Sequence, residues 1–155
     1  MKFKNPLLVV EDLEKSKYFY RRVLGLHVIA DFGANITLTG GICLQTKQSW
    51  VHMIGIGESE LHFRTNASEL YWEEDNFDAF IEKLTAIPEI QYIHPAMEHP
   101  WGQRAVRFYD PDYHIIEVGE NIKFVCRRFL DSGMTEEETA ARMDVPIGFV
   151  KSCLR

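Results

Sequence analysis

The sequence predicts an α+β fold made of two β-α-β-β-β modules followed by a helical tail. Three observations carry this. One order of five elements occurs twice, and the openings of the two copies match at an offset of 64. Strand-like alternation then stops near Ile122 and gives way to helical periodicity.

In the first copy, PLLVVE after Asn5 is apolar and β-branched and reads as a strand. It ends at Asp12, a good helix N-cap, and Leu13, Ser16, Tyr20 and Leu24 then fall on one helical face beside Phe19 and Val23. Gly25 closes that helix, as a glycine just beyond a helix end does. HVIADFG, NITLTGG and ICLQTKQSWVHMIG read as three strands, broken at Gly33-Ala34-Asn35 and at Gly40-Gly41. In the second copy ELYWEE is strand-like, Asp75 or Asn76 can cap, and Phe77, Phe80, Ile81 and Leu84 form an amphipathic stripe. Pro88 excludes much further helix. IQYIHP, QRAVRFYD and HIIEVGE supply three more strands, with DPDY as the turn between the last two. Asn5 superposes on Glu69 and Leu13 on Phe77, both at an offset of 64. Neither half could bury its sheet alone.

These readings place one module at about residues 1–57, a second at about 58–121, and a tail at 122–155. In the tail, Ile122, Val125, Cys126, Phe129 and Leu130 make a helical stripe that ends at Gly133. Thr135 and Glu138 form a capping box, and Pro146 opens a third helix carrying Phe149, Val150 and Leu154.

A chain of 155 residues suits one core, or two half-size modules sharing one. The net charge of −6 argues against a nucleic-acid partner, because phosphate binding needs a basic face. No apolar run approaches a membrane span and the first residues lack a secretory apolar core, so no membrane partner is expected. Cys43, Cys126 and Cys153 are odd in number and widely separated, which reads as buried free thiols in a reducing compartment; the cytoplasm is the expected location. No Ser/His/Asp set, phosphate loop or nucleophilic cysteine signature occurs, and His52, His62, His94, His99 and His114 lack metal-ligand spacing and read as structural or exposed.

VVEDLEKSKYFYRRVLGL resembles the first strand and helix of the vicinal oxygen chelate superfamily, which includes glyoxalases, bleomycin-resistance proteins and extradiol dioxygenases. ELYWEEDNFDAFIEKL is similar to the opening of its second module, and HPWGQRAVRFYDPDYHIIEVGE to its closing strands. The resemblance spans about residues 3–121. It implies modules of the glyoxalase/bleomycin-resistance type, forming a curled mixed sheet around a cleft. In metal-dependent members the ligands sit at the start of each module's first strand and inside its last strand. The matching positions are Asn5, Gln45, Glu69 and Glu117. Glu117 keeps the common residue type, Glu69 stands where His is usual, Gln45 replaces a Glu, and Asn5 is a poor ligand.

Strand alternation puts Glu69, Tyr71 and Glu73 on one face of ELYWEE. If Glu69 and Glu117 converge, a divalent cation, a shared proton or a basic ligand group must relieve their repulsion. An all-oxygen set of Glu69, Glu117 and Gln45 would suit Mg or Mn better than zinc. The same carboxylates are also compatible with two solvated strand ends, or with a metal-free polar grip on a ligand. Trp101 reads either as a cleft aromatic that stacks on a planar or cationic ligand, or as a ring packed over a turn that Gly102 permits. Arg104 and Arg107 lie three apart and so point to opposite strand faces, and a surface charge is the simpler reading for each. The tail has a helix-turn-helix rhythm, but its last helix opens on Pro146, Ile147, Gly148 and Phe149, which suits partner-covering better than groove reading.

The functional expectation is a homodimeric small-molecule-binding protein that holds its ligand in a cleft between paired modules, with Trp101, Gln45, Tyr71 and Asn5 as ligand contacts. A second reading is a metal-dependent lyase, isomerase or thiol transferase with one divalent ion on Glu69, Glu117 and Gln45, in which Glu117 or Glu69 moves the proton. A third is a ligand-sensing module that acts through the helical tail.

Overall fold

The computed structural model describes residues 1–154. Packing divides the chain into two units, residues 1–68 with 109–115, and residues 69–108 with 116 onward.

The first unit contains β1 (Leu7–Val10), α1 (Leu13–Leu24), β2 (Val28–Asp31), β3 (Asn35–Leu38) and β4 (Ile42–Thr46). Its sheet runs β1-β4-β3-β2, with β1 parallel to β4 and the remaining pairs antiparallel. Helix α1 starts where its sequence says it should: the Asp12 side chain accepts from Lys15 N, and Gly25, at φ 71, ends it by donating to Arg21 O. Ser16, Tyr20 and Val23 turn inward, toward a core that includes Val10, Ile36, Leu38 and Leu44.

The third strand-like run of this half is only partly a strand. β4 stops at Thr46, and Lys47–Ile54 is a helix, α2. The physical reason is local. Ser49 Oγ donates to Thr46 O at 2.9 Å, Val51 is the buried residue of the turn, and Gly55 (φ 74) supplies a left-handed cap. A short run of this kind suits either structure, and Gly55 is where the helix closes.

The DPDY turn belongs to this unit and is tied to α1. Asp110 Oδ1 accepts from the backbone N of Asp112 (2.9 Å) and of His114 (2.8 Å), while Oδ2 accepts from Tyr20 OH at 2.8 Å. Asp112 accepts from Glu11 N at 3.0 Å, and its other oxygen lies 3.2 Å from Ser16 Oγ. Both carboxylates are buried and both are satisfied by neighbours, the condition for such groups to persist inside a fold. Burial pushes the Asp112 carboxyl above its ordinary range, against the hydrogen bond from Glu11.

The second unit repeats the pattern. β5 (Glu69–Glu74), α3 (Phe77–Thr85), β6 (Gln91–Glu98), β7 (Arg104–Tyr109) and β8 (Ile115–Glu120) form a sheet of order β5-β8-β7-β6. Helices α1 and α3 begin at Leu13 and Phe77, the two positions that the repeat superposes. Asn76 is the residue that caps α3, accepting from Ala79 N. β6 carries Pro95 and lies at the sheet edge, where a missing N–H costs no ladder bond. The tail adds α4 (Ile122–Asp131), α5 (Glu136–Met143) and α6 (Ile147–Cys153). Thr135 and Glu138 form the expected capping box, and Pro146 is the N-cap of α6. Val125, Cys126, Ala140, Met143, Val150 and Cys153 make a buried core among the three helices. All three cysteines are free; Cys43 is only half-buried, and burial pushes the Cys126 thiol up to about 12. No helix among the described residues is long and apolar enough to cross a membrane.

Tyr20→Phe removes one of the bonds that hold the DPDY turn to α1. It should lower unfolding stability by about 1–2 kcal/mol, read as an earlier urea midpoint with an unchanged slope.

Candidate functional site

Exposure alternates along β5 as the sequence requires: Glu69, Tyr71 and Glu73 are open, and Leu70, Trp72 and Glu74 are more covered. Glu117 comes from β8, the neighbouring strand, and its side chain is only 6 % exposed. Between the two carboxylates stands Arg107, from β7. Its Nε donates to Glu69 Oε2 at 3.0 Å, and Nη2 forms an ion contact with Glu117 Oε2. Nη1 lies 3.2 Å from His94 Nε2 and 3.4 Å from His99 Nε2. His94 Nδ1 lies 2.9 Å from Pro95 O, so the tautomer that donates there leaves Nε2 as an acceptor for Arg107.

Burial is the main influence on Glu117 and pushes its carboxyl above the ordinary range. Arg107 opposes this, while the charge of Glu69 and a carboxyl–carboxyl hydrogen bond to it push further upward. The repulsion expected between the two acids is therefore relieved from within the protein, by a guanidinium. His99 is pushed below its usual value by burial, then by Arg107 and His94, which favours the neutral ring that an arginine N–H needs as partner.

Next to this cluster runs a polar chain. Trp101 stacks on His99, with ring centroids 4.5 Å apart and planes 6° from parallel. Trp101 Nε1 donates to Gln103 Oε1 at 3.1 Å, Gln103 Nε2 donates to Tyr71 OH at 2.8 Å, and Tyr71 OH donates to Glu73 Oε1 at 3.1 Å. Gly119 makes room for it: a Cβ there would lie 2.9 Å from Gln103 Nε2 and 3.3 Å from the Tyr71 ring. Burial raises the Tyr71 phenol to about 12, against the hydrogen bond from Gln103, so it stays a donor.

The second unit thus brings together Glu69, Glu117, Tyr71 and Trp101. Asn5 and Gln45 belong to the first unit and are engaged there. Asn5 Nδ2 donates to Gly41 O at 2.6 Å, and Gln45 accepts from Asn35 at 2.7 Å while donating to Ser49 at 2.5 Å. Arg107, His94, His99 and Gln103 were missed as site residues. Arg107 in particular is no plain surface charge, since three quarters of its side chain is covered. The separation of Arg104 from Arg107 does hold, because Arg104 pairs with Asp78 and Glu120 instead. The only signal in the sequence was that an arginine on a strand beside two acids must face one sheet face or the other.

The divalent ion that the resemblance implies does not fit this donor set. One guanidinium already engages both carboxylates, and the Gln45 carbonyl already accepts a bond. No three Asp, Glu, His or Cys side chains among the described residues are grouped to hold a metal ion. A concavity of about 500 Å³ lies in the first unit beside Lys17, Tyr18, Arg21 and Val28 and contains none of the predicted site residues. The polar chemistry of Arg107 is the better guide to function than that volume.

Residues 3–123 match the Glyoxalase-like domain family. The chain belongs to this family. With it comes membership of the vicinal oxygen chelate superfamily. No curated protein matches the chain. Among solved structures, a protein of unknown function from Agrobacterium tumefaciens is 36 % identical, with TM-score 0.69, covering 78 % of this chain and 94 % of its own. A glyoxalase-related enzyme from Fulvimarina pelagi is 24 % identical, with TM-score 0.63 and coverage of 78 % and 88 %. A lactoylglutathione lyase from Agrobacterium tumefaciens is 22 % identical, with TM-score 0.59 and coverage of 78 % and 94 %. The last two share the glyoxalase fold with this chain.

Because the Glu117 pKa is raised in the fold, protonated Glu117 is the form that the fold favours. Its contribution is complete below the ordinary carboxylate value of 4.5 and is lost as pH rises through the raised value. Glu117→Gln should therefore gain stability relative to the parent as pH rises from about 4 to about 8, measured as the difference in urea midpoints. Arg107→Met leaves the acids facing each other and should cost about 2–4 kcal/mol in the same assay at neutral pH.

Proposed function

We propose that this chain is a cytoplasmic, homodimeric protein that captures a planar, cationic small molecule without changing a bond in it. The observation that carries this reading is the sign and shape of the second unit's candidate surface. Tyr71 is 48 % exposed and shares its strand face with Glu69 and Glu73, while Arg107, the cation of the cluster, is already paired to Glu69 and Glu117. An aromatic face flanked by carboxylates suits a flat cation, which gains ring contact and charge pairing together. Trp101, half-buried and held by Gln103, adds a second ring to the surface.

The lyase or isomerase reading needs an ion that competes with Arg107 for the oxygens of Glu69 and Glu117. The binding reading leaves that pairing in place. Capture therefore follows more directly from the residues present.

Titration with a phenanthridinium dye, a flat aromatic cation, should quench tryptophan fluorescence, with the same affinity in the presence and absence of EDTA. Trp101→Ala and Tyr71→Ala should each weaken dye binding about tenfold. Sedimentation equilibrium should return twice the chain mass. Dye binding that disappears on chelation and returns with manganese would overturn the metal-free reading.

A further inference from the structure

The turn that carries Trp101 is held from outside by the helical tail. Within the turn, Gly102 N donates to His99 O at 2.8 Å and His99 N to Gln103 O at 2.9 Å. The carbonyls on either side of Trp101 both point to arginines of the tail. Arg128, on α4, donates from Nη2 to Gly102 O at 2.7 Å, and Arg142, on α5, donates from Nη1 to Pro100 O. Arg142 Nη2 also donates to Glu98 Oε1 at 2.9 Å, at the end of the strand that leads into the turn. Between the two arginines lies the ring of Phe129, with the guanidinium carbons 5.3 and 5.2 Å from its centroid. That ring occupies the space beside Gly102, where a Cβ would lie 2.2 Å from Phe129 Cζ. Gly102 adopts φ 88, so glycine is required there by backbone conformation as well as by the ring.

We infer that Arg128, Phe129 and Arg142 form a clasp that positions the Pro100-Trp101-Gly102 turn, making the tail a determinant of ligand affinity. The inference rests on the binding reading above for its functional consequence. All three clasp residues lie beyond residue 123, where the family match ends, so the clasp is an addition to the glyoxalase-like domain. Its chemistry suits positioning. Charged donors on backbone carbonyls are among the stronger hydrogen bonds, and two of them hold the carbonyls of the residues before and after Trp101. With the backbone so held, the indole stays stacked on His99 with its N–H on Gln103. These three are positioning residues, acting on the ligand through Trp101.

The test uses the full chain carrying Arg128→Gln and Arg142→Gln, with far-UV circular dichroism to show that it is folded. Lys151→Gln serves as control, since Lys151 is in the tail and pairs with Glu136. Amide hydrogen exchange over residues 101–103 should quicken about tenfold in the double variant and stay at the parental rate in the control. The phenanthridinium dye should bind the double variant about tenfold more weakly, equivalent to about 1.4 kcal/mol. If the double variant does not fold, Arg142→Gln alone is read in the same way. Unchanged exchange overturns the clasp, and so does unchanged dye affinity in a folded variant whose exchange has quickened. If the parent takes up no dye while exchange in the variant rises, the binding reading falls and the clasp on the turn stands.

Discussion

Two carboxylates on neighbouring strands of one sheet set the conditions for the polar cluster of the second unit. At a separation of about 4 Å and an effective dielectric near 20, their repulsion would be about 4 kcal/mol, comparable with a large part of a domain's net stability. Arg107 answers it by reaching both acids from a third strand. The rest of the cluster follows from that placement. His94 and His99 present ring nitrogens as acceptors to the remaining guanidinium nitrogen, and His99 then supplies the plane on which Trp101 stacks.

The repeat places residues alike in both units but gives them different chemistry. At the matching positions the first unit has Asn5 and Gln45, neutral amides that neighbouring backbone and side chains satisfy. Amides need hydrogen-bond partners and no counter-charge, so no arginine is required there. The first unit spends its buried charge elsewhere, on Asp110 and Asp112, whose role is to fasten a turn onto α1. One architecture thus supports a charged polar face in one unit and a structural anchor in the other.

What was legible in the sequence was mostly local. Asp12 and Gly25 bound α1, the Thr135–Glu138 box opens α5, and the alternation of ELYWEE places Glu69 and Tyr71 on one face. Each depends on residues within a turn or two of one another, so spacing is enough to read it. The helix Lys47–Ile54 was not legible as such, because a short apolar run suits strand and helix alike until its caps decide. Arg107 was not legible either. Its partners lie 38 residues away at Glu69 and on the next strand at Glu117, and no local pattern distinguishes a bridging arginine from a solvated one.

The amino-acid sequence by itself determined the fold class, the order of the repeated strands and first helices, and the faces of ELYWEE. Those follow from periodicity and backbone preference, which act over short stretches of chain. Tertiary structure alone decided what the acidic positions face, and that the tail's arginines end on the carbonyls beside Trp101. Both are contacts between segments far apart in sequence. Their geometry exists only once strand order and helix docking have brought the groups together.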